Sequence, residues 1–255
     1  MINDQKVVVV LPAYNAAQTL ETTWREIPRP LVDEIILVDD ASDDDTVRLA
    51  SELGIEHVVP HSMNKGYGAN QKTCYDTALE VGGDIIIMLH PDYQYTPRLI
   101  PAMASIISQG VYPVVLGSRI LGNGAIKGGM PIYKYLANYG LTAFQNLCTG
   151  AGLSEYHTGY RAFSAQVLRE TPYHNNADGF IFDNQMLSQI IQAGHGIAEV
   201  TCPTRYFEEA SSIKLWPSTI YGLGVLKVSL QHLLHRTGMV HSNLYTPPQS
   251  PNASD

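Results

Sequence analysis

Cysteine is scarce and scattered. Cys74, Cys148 and Cys202 are the only three in 255 residues, far apart and odd in number. They form no Cys-x-x-Cys pair and read as reduced, buried thiols of a cytosolic protein rather than a disulfide framework. Charge is also sparse, at 16% of residues, and the net charge of −8 argues against a general nucleic-acid binder. The N-terminus Met-Ile-Asn-Asp-Gln-Lys lacks the basic start and apolar stretch of a secretory leader. No uncharged apolar run has the length of a membrane span, and no internal repeat is present. Phenylalanine is rare (5) beside tyrosine (15), so the aromatic surface carries hydroxyls. What the chain does have is 45% apolar residues, enough for one large domain with a sizeable core.

Apolar runs ending in turn signals alternate with helical spacing through the first half. Val7–Leu11, Glu34–Val38, Glu56–Val59, Asp84–Leu89 and Pro113–Leu116 read as strands. Between them Ala16–Ile27, Thr46–Leu53, Asn64–Glu80 and Thr96–Ser108 read as helices. That alternation predicts an α/β fold with a mostly parallel sheet flanked by helices. The second half is less regular. Helices are expected at Ile132–Leu147, Asp183–Gln192 and Trp216–Leu234, with extended segments at His157–Ser164 and Ile197–Thr201. We expect a single domain over 1–241, divided into halves at 7–120 and 121–241. The Pro-rich, polar stretch 242–255 is expected to be disordered or to wrap loosely over a neighbour.

Three polar clusters close three of the strand candidates: Pro12–Asn15, Asp39–Asp45 and His90–Gln94. Parallel strands would bring all three to one edge of the sheet, where ligands of open α/β sheets gather. Asp39 and Asp40 sit nearest their strand end; a solvated acidic loop accounts for most of Asp43–Asp45. His90, Asp92 and Gln94, at alternate positions, can converge on one divalent cation, or can simply form a strand-end turn. Gly66-Tyr67-Gly68-Ala69-Asn70-Gln71 begins like a dinucleotide fingerprint but lacks its last glycine and follows the third strand. It reads better as a place where backbone approaches a ligand or a helix closely.

Taken in order, these residues resemble the family 2 glycosyltransferases, inverting enzymes of GT-A fold, and within them the dolichyl- or polyprenyl-phosphate sugar synthases. The resemblance runs from about Val7 to about Leu234. It is carried by Pro12-Ala13-Tyr14-Asn15, Val38–Thr46, Asn64–Asn70, His90-Pro91-Asp92, Leu116-Gly117-Ser118-Arg119, Thr158–Phe163, Gly179–Asp183 and Arg205–Lys214. Each motif alone is weak; eight in the right order are specific. Two positions depart from the pattern. His90 stands where the metal motif has its first acid, and Ala16 stands where many relatives carry Glu.

The resemblance implies a hexose donor activated as a nucleoside-diphosphate sugar, of GDP-mannose or UDP-glucose type. It is held by Pro12, Tyr14, Asn15, Asp39, Asp40, Asn64, Lys65 and Gly66. Arg119, Arg205 and Lys214 are typed for its phosphates, since guanidinium offers a planar donor fork. A divalent cation on Asp92, with His90 and Gln94, neutralises the leaving diphosphate. Imidazole favours Mn²⁺ over Mg²⁺. The acceptor decides the rest. A polyprenyl phosphate is already ionised and needs cations, for which Arg161, Lys127 and Lys134 are candidates. A sugar hydroxyl of a cell-surface glycan needs a base, for which Asp183 is the candidate and a helix cap the structural alternative. The implied catalytic residues are Asp92, Asp183 and Arg205. The apolar 216–234 helix suits a peripheral position at the inner face of the cell membrane, packing on its own domain, or a homo-oligomer contact. A nucleotide-sugar-binding module without catalysis is the reading from another class.

Overall fold

The computed structural model describes residues 1–204 and 215–247. Seven strands form one sheet in the order β3-β2-β1-β4-β6-β5-β7. They are β1 (Val7–Ala13), β2 (Glu34–Asp39), β3 (His57–Pro60), β4 (Ile85–Met88), β5 (Val114–Ser118), β6 (Arg161–Ser164) and β7 (Ile197–Thr201). All pairings are parallel except those of β6, which runs antiparallel to both β4 and β5. The expected α/β architecture is therefore observed, with one reversed strand in the middle of the sheet.

The helices are α1 (Leu20–Glu26), α2 (Thr46–Glu52), α3 (Tyr67–Glu80), α4 (Ile100–Ser108), α5 (Gly124–Lys127), α6 (Ile132–Thr149), α7 (Ala165–Glu170), α8 (Phe182–Gln192) and α9 (Leu215–Arg236). Strand side chains alternate between the two sheet faces, and both faces are covered. Val7, Val9 and Leu11 join Leu20, Ile100 and Met103 in one core. Val8 and Val10 join Tyr75, Phe163, Phe182 and Leu187 in the other. This two-sided burial explains why the strands read as continuous apolar runs rather than alternating ones.

Two expectations are corrected. The first helix starts at Leu20, not Ala16. The backbone N–H groups of Asn15, Ala16 and Ala17 are taken instead by Ser42 Oγ, Thr46 Oγ1 and Asp44 Oδ2 at 2.8–3.0 Å. Side chains from the β2–α2 loop thus hold residues 15–17 out of the helix. The described part of the 242–255 stretch is also ordered. Leu244 is buried, Tyr245 shares a hydrogen bond with Ser188 Oγ at 2.7 Å, and Gln189 Nε2 donates to the Leu244 carbonyl at 2.6 Å. An apolar residue and two polar anchors on α8 dock residues 242–247.

Candidate active site

The parallel register places Ala13 beside Asp39, and Val10 beside Met88. The residues that follow these strands therefore emerge along one sheet edge, as the three clusters predict. Because β6 is reversed, the segment leading into it, Thr158-Gly159-Tyr160, arrives at the same edge. Arg161 pairs with Met88 on one side and Leu116 on the other.

Asp39 and Asp40 are both buried and do different things. Asp39 accepts from the backbone N–H of Ser42 at 2.9 Å and from its hydroxyl. Asp40 accepts from the Lys65 and Gly66 N–H groups at 2.8 and 2.9 Å and contacts His61 Nδ1 at 2.8 Å. Asp40 thereby ties the β2 end to the loop before α3. Asn15, at φ 51°, accepts from the Asp43 N–H. Pro12 is buried within β1, whereas Tyr14, Asn64 and Lys65 stand exposed around this rim.

The Gly66–Gly68 turn brings backbone against a neighbouring helix entry. A Cβ on Gly68 would lie 2.5 Å from the Ala177 carbonyl oxygen and 2.8 Å from Phe182 Cβ. Gly68 N–H donates to the Asp178 carbonyl at 2.6 Å. The glycines thus serve close approach, and the start of α3 is locked to the start of α8.

That lock carries a polar chain. The Tyr67 hydroxyl donates to Asp183 Oδ2 at 2.7 Å and lies 3.2 Å from His90 Nε2. The Tyr67 and His90 rings are nearly parallel, 5.6 Å apart. Gln71 Nε2 donates to Asp183 Oδ1 at 3.2 Å. Asp183 sits in the first turn of α8, one residue inside the helix, and is not its cap. Its charge there complements the helix N-terminus. Burial pushes the His90 imidazole below its usual range; Asp92 and Asp183 oppose that shift and Arg161 adds to it. Asp92 accepts from the Gln94 N–H at 3.1 Å, and Gln94 is buried.

Two expected phosphate contacts are used inside the protein. Arg161 is fully buried: Nε donates to the Thr158 carbonyl, NH1 to the Asp183 carbonyl and NH2 to the Tyr156 carbonyl at 2.8–3.0 Å. Three of the five N–H donors of Arg161, expected to meet the acceptor, thus go to backbone carbonyls inside the protein. Arg119 is directed to Glu155, a fully buried acid that it meets through its backbone N–H, Nε and NH2, and NH2 also donates to the His157 carbonyl. A buried carboxylate demands such a counter-charge. Lys134 is half-buried in the first turn of α6, and Lys127 is exposed at the end of α5. Arg205 and Lys214 lie outside the described residues.

Tyr67, Gln71 and Glu155 escape a reading of sequence alone, and so does a second buried chain. Asn184 Nδ2 donates to Tyr221 OH at 2.5 Å, and that hydroxyl lies 2.8 Å from His157 Nδ1. Burial between Arg119 and Arg161 holds His157 down at about 3. Nothing local marks their roles; the only signal is that Tyr67 and Gln71 belong to the Gly-rich motif. Among the described residues, the one cluster of three metal-ligating side chains is Glu34, Glu56 and His57. It lies at the opposite edge, with Lys6 3.2 Å from Glu34, and has no tie to this site.

The outer helices carry exposed apolar side chains. On α9 Val225, Val228 and His232 turn inward, while Ile220, Leu223 and Leu230 are exposed. α6 packs against α9 and leaves Ile132, Tyr133, Leu136 and Tyr139 exposed. No described helix is long and apolar enough to cross a membrane.

Residues 8–171 match the family model for glycosyl transferase family 2. The chain belongs to that family, and it is an inverting glycosyltransferase of GT-A fold. It is 25% identical over 231 residues to undecaprenyl-phosphate mannosyltransferase of Micrococcus luteus, covering 88% of this chain and 93% of that one. It is 29% identical over 182 residues to UDP-N-acetylglucosamine–dolichyl-phosphate N-acetylglucosaminyltransferase of Methanococcus voltae, covering 65% and 72%. Among solved structures, glucosyl-3-phosphoglycerate synthase from Mycobacterium tuberculosis superposes with a TM-score of 0.67 at 23% identity, covering 97% of this chain and 88% of that one. The same synthase has been solved with Mn²⁺ and UDP-glucose, and with Mg²⁺ and UDP.

Proposed function

We propose that this chain transfers a hexose from a nucleoside-diphosphate sugar, of GDP-mannose or UDP-glucose type, to a polyprenyl phosphate. The observation that carries the reading is the agreement of two independent features. Relatives aligned over most of this chain are named for polyprenyl-type phosphate acceptors. The paired helices α6 and α9, both in the 121–241 half, keep large apolar side chains outside. Such a surface suits peripheral contact with the lipid that carries the acceptor.

In this reading Pro12, Tyr14, Asn15, Asp39, Asn64, Lys65 and Gly66 frame the nucleotide, and Asp40 supports them by holding the 65–66 turn. A divalent cation fits the donor set of the site: Asp92 offers a full negative charge and His90 an imidazole. Gly159 leaves the space for that ring, since a Cβ there would lie 2.4 Å from His90 Nε2. Imidazole with carboxylate suits Mn²⁺ better than Mg²⁺. When bound, the cation supplies positive charge for the departing diphosphate. Arg205 and Lys214 would add cationic donors to the same oxygens. Gln94, buried beside Asp92, fixes the turn. Lys134 and Lys127 serve the acceptor phosphate. A phosphate oxygen is ionised at neutral pH and attacks the anomeric carbon without a base, so both Asp183 oxygens can stay bonded to Tyr67 and Gln71.

Purified protein incubated with Mn²⁺ or Mg²⁺, a panel of donors and a short-chain polyprenyl phosphate should yield a lipid-linked sugar from one donor. Absence of such a product from every donor overturns the acceptor assignment.

A further inference from the structure

We infer that Tyr67 is a positioning residue that holds His90 as the Nε2–H tautomer, so that His90 offers Nδ1 as the lone pair for the cation. The inference rests on the cation reading above and deepens it. It follows from counting hydrogens. A carboxylate only accepts, so the single Tyr67 O–H proton goes to Asp183 Oδ2, 2.7 Å away. The phenol then has no hydrogen left for His90 and presents only lone pairs. His90 Nε2, 3.2 Å from the same oxygen, must therefore be the donor. A histidine ligates a cation as the neutral ring, which carries one N–H, so with that hydrogen on Nε2 the lone pair lies on Nδ1.

Four contacts hold the arrangement in place. The Tyr67 ring lies nearly parallel to the His90 ring, at an interplanar angle of 10°, and Phe180 packs on Tyr67 at 5.1 Å. The Gly159 backbone closes on the Nε2 edge. Gln71 fixes the other oxygen of Asp183, so the carboxylate cannot swing away from Tyr67 without losing a bond. Among the described residues no hydrogen bond reaches Nδ1; the ring contacts are made by Nε2. Metal-ligating histidines commonly donate their second N–H to an oxygen of the protein, which sets both tautomer and ring direction. Here that oxygen is a phenol whose own proton is fixed by a carboxylate on another helix. His90 is thus tied through Tyr67 to Asp183 on the acceptor side.

The test uses the full chain with ¹⁵N-histidine labelling, His90 being assigned by the signal lost in His90→Gln. Long-range proton–nitrogen spectra of the wild type should show a protonated Nε2 and an unprotonated Nδ1, and Zn²⁺ with a nucleoside diphosphate should shift Nδ1. Tyr67→Phe, which deletes one oxygen from a stacked ring, should mix the tautomers. It should also weaken Mn²⁺ binding in the presence of nucleoside diphosphate by about 10-fold or more, read by the free-Mn²⁺ resonance signal. A wild-type Nδ1–H tautomer overturns the inference, as does Tyr67→Phe with unchanged tautomer and unchanged affinity. Unchanged Mn²⁺ affinity in both His90→Gln and Asp92→Asn overturns the cation assignment itself. The tautomer spectrum still reports separately on what Tyr67 does.

Discussion

Arg161 and Asp183 are joined twice: the guanidinium NH1 donates to the Asp183 carbonyl at 2.9 Å and lies 3.4 Å from its Oδ1. The arginine is wholly inside the protein. It couples the start of β6 to the start of α8 and places a positive charge under the carboxylate that Tyr67 and Gln71 share. Arg161→Met should therefore act on folding. Removing one partner of a buried pair costs about 3–5 kcal/mol. Urea unfolding should show that loss, whereas an acceptor contact would appear as a raised acceptor KM in a normally stable protein.

Asp183→Asn separates the two acceptor chemistries. With an ionised phosphate as nucleophile, transfer should persist within about tenfold of wild type. With a hydroxyl nucleophile, loss of a base would cost about 10²–10⁴-fold. The amide must face two donors, Tyr67 OH and Gln71 Nε2. An unsatisfied polar contact of that kind costs about 1–3 kcal/mol, so a melting curve should accompany the rates.

Glu155 is fully buried and neutralised by Arg119, with Ser154 and Glu155 N–H groups in turn held by Glu199. Glu155→Gln should destabilise the protein by about 3–5 kcal/mol by stranding the Arg119 charge. Arg119→Lys should fail to restore stability, because an ammonium cannot copy the fork that Nε and NH2 present. Thermal unfolding of both variants checks this.

Stability should fall as pH drops below about 6.5. His232 is buried between α8 and α9, with Ser188 at Nδ1 and Tyr245, His235 and Arg236 around it. Burial, and then Arg236, hold it down at about 4. A histidine whose folded value is depressed contributes stability that is present above its unfolded value of 6.5 and is lost as pH falls toward the folded one. His157 acts in the same direction, from about 3. Each adds a slope of up to about 1.4 kcal/mol per pH unit in that window. His232→Gln should make the pH dependence of urea unfolding shallower between pH 6.5 and 4; an unchanged slope would refute the assignment.

Strand positions could be read from sequence because β1, β2 and β4 are buried on both faces and end at turn residues. Glu34–Val38 stops one residue short of β2, and Asp84–Leu89 overruns β4 by one residue at each end. The start of α1 could not be read, since the groups that hold Asn15, Ala16 and Ala17 come from residues 42–46, a separate loop. Arg119 and Arg161 show the same limit. Their residue type suits phosphate, but Arg119 meets Glu155 and Arg161 meets the Thr158 and Asp183 carbonyls, partners that no local pattern announces.

By itself the sequence determined the family, the α/β alternation and the convergence of Asn15, Asp39 and Asp92 on one edge. Those follow from apolar runs, turn residues and parallel strands, all of them local patterns. Only the tertiary structure decided which polar groups are spent on holding the protein together and which remain turned to a ligand. Hydrogen bonds between residues as distant as Tyr67 and Asp183 depend on how α3 and α8 meet, and no spacing along the chain encodes that distance. His90 is the clearest case: its place at the strand end is a sequence property, but the nitrogen it offers is set by a phenol and a carboxylate brought from two other helices.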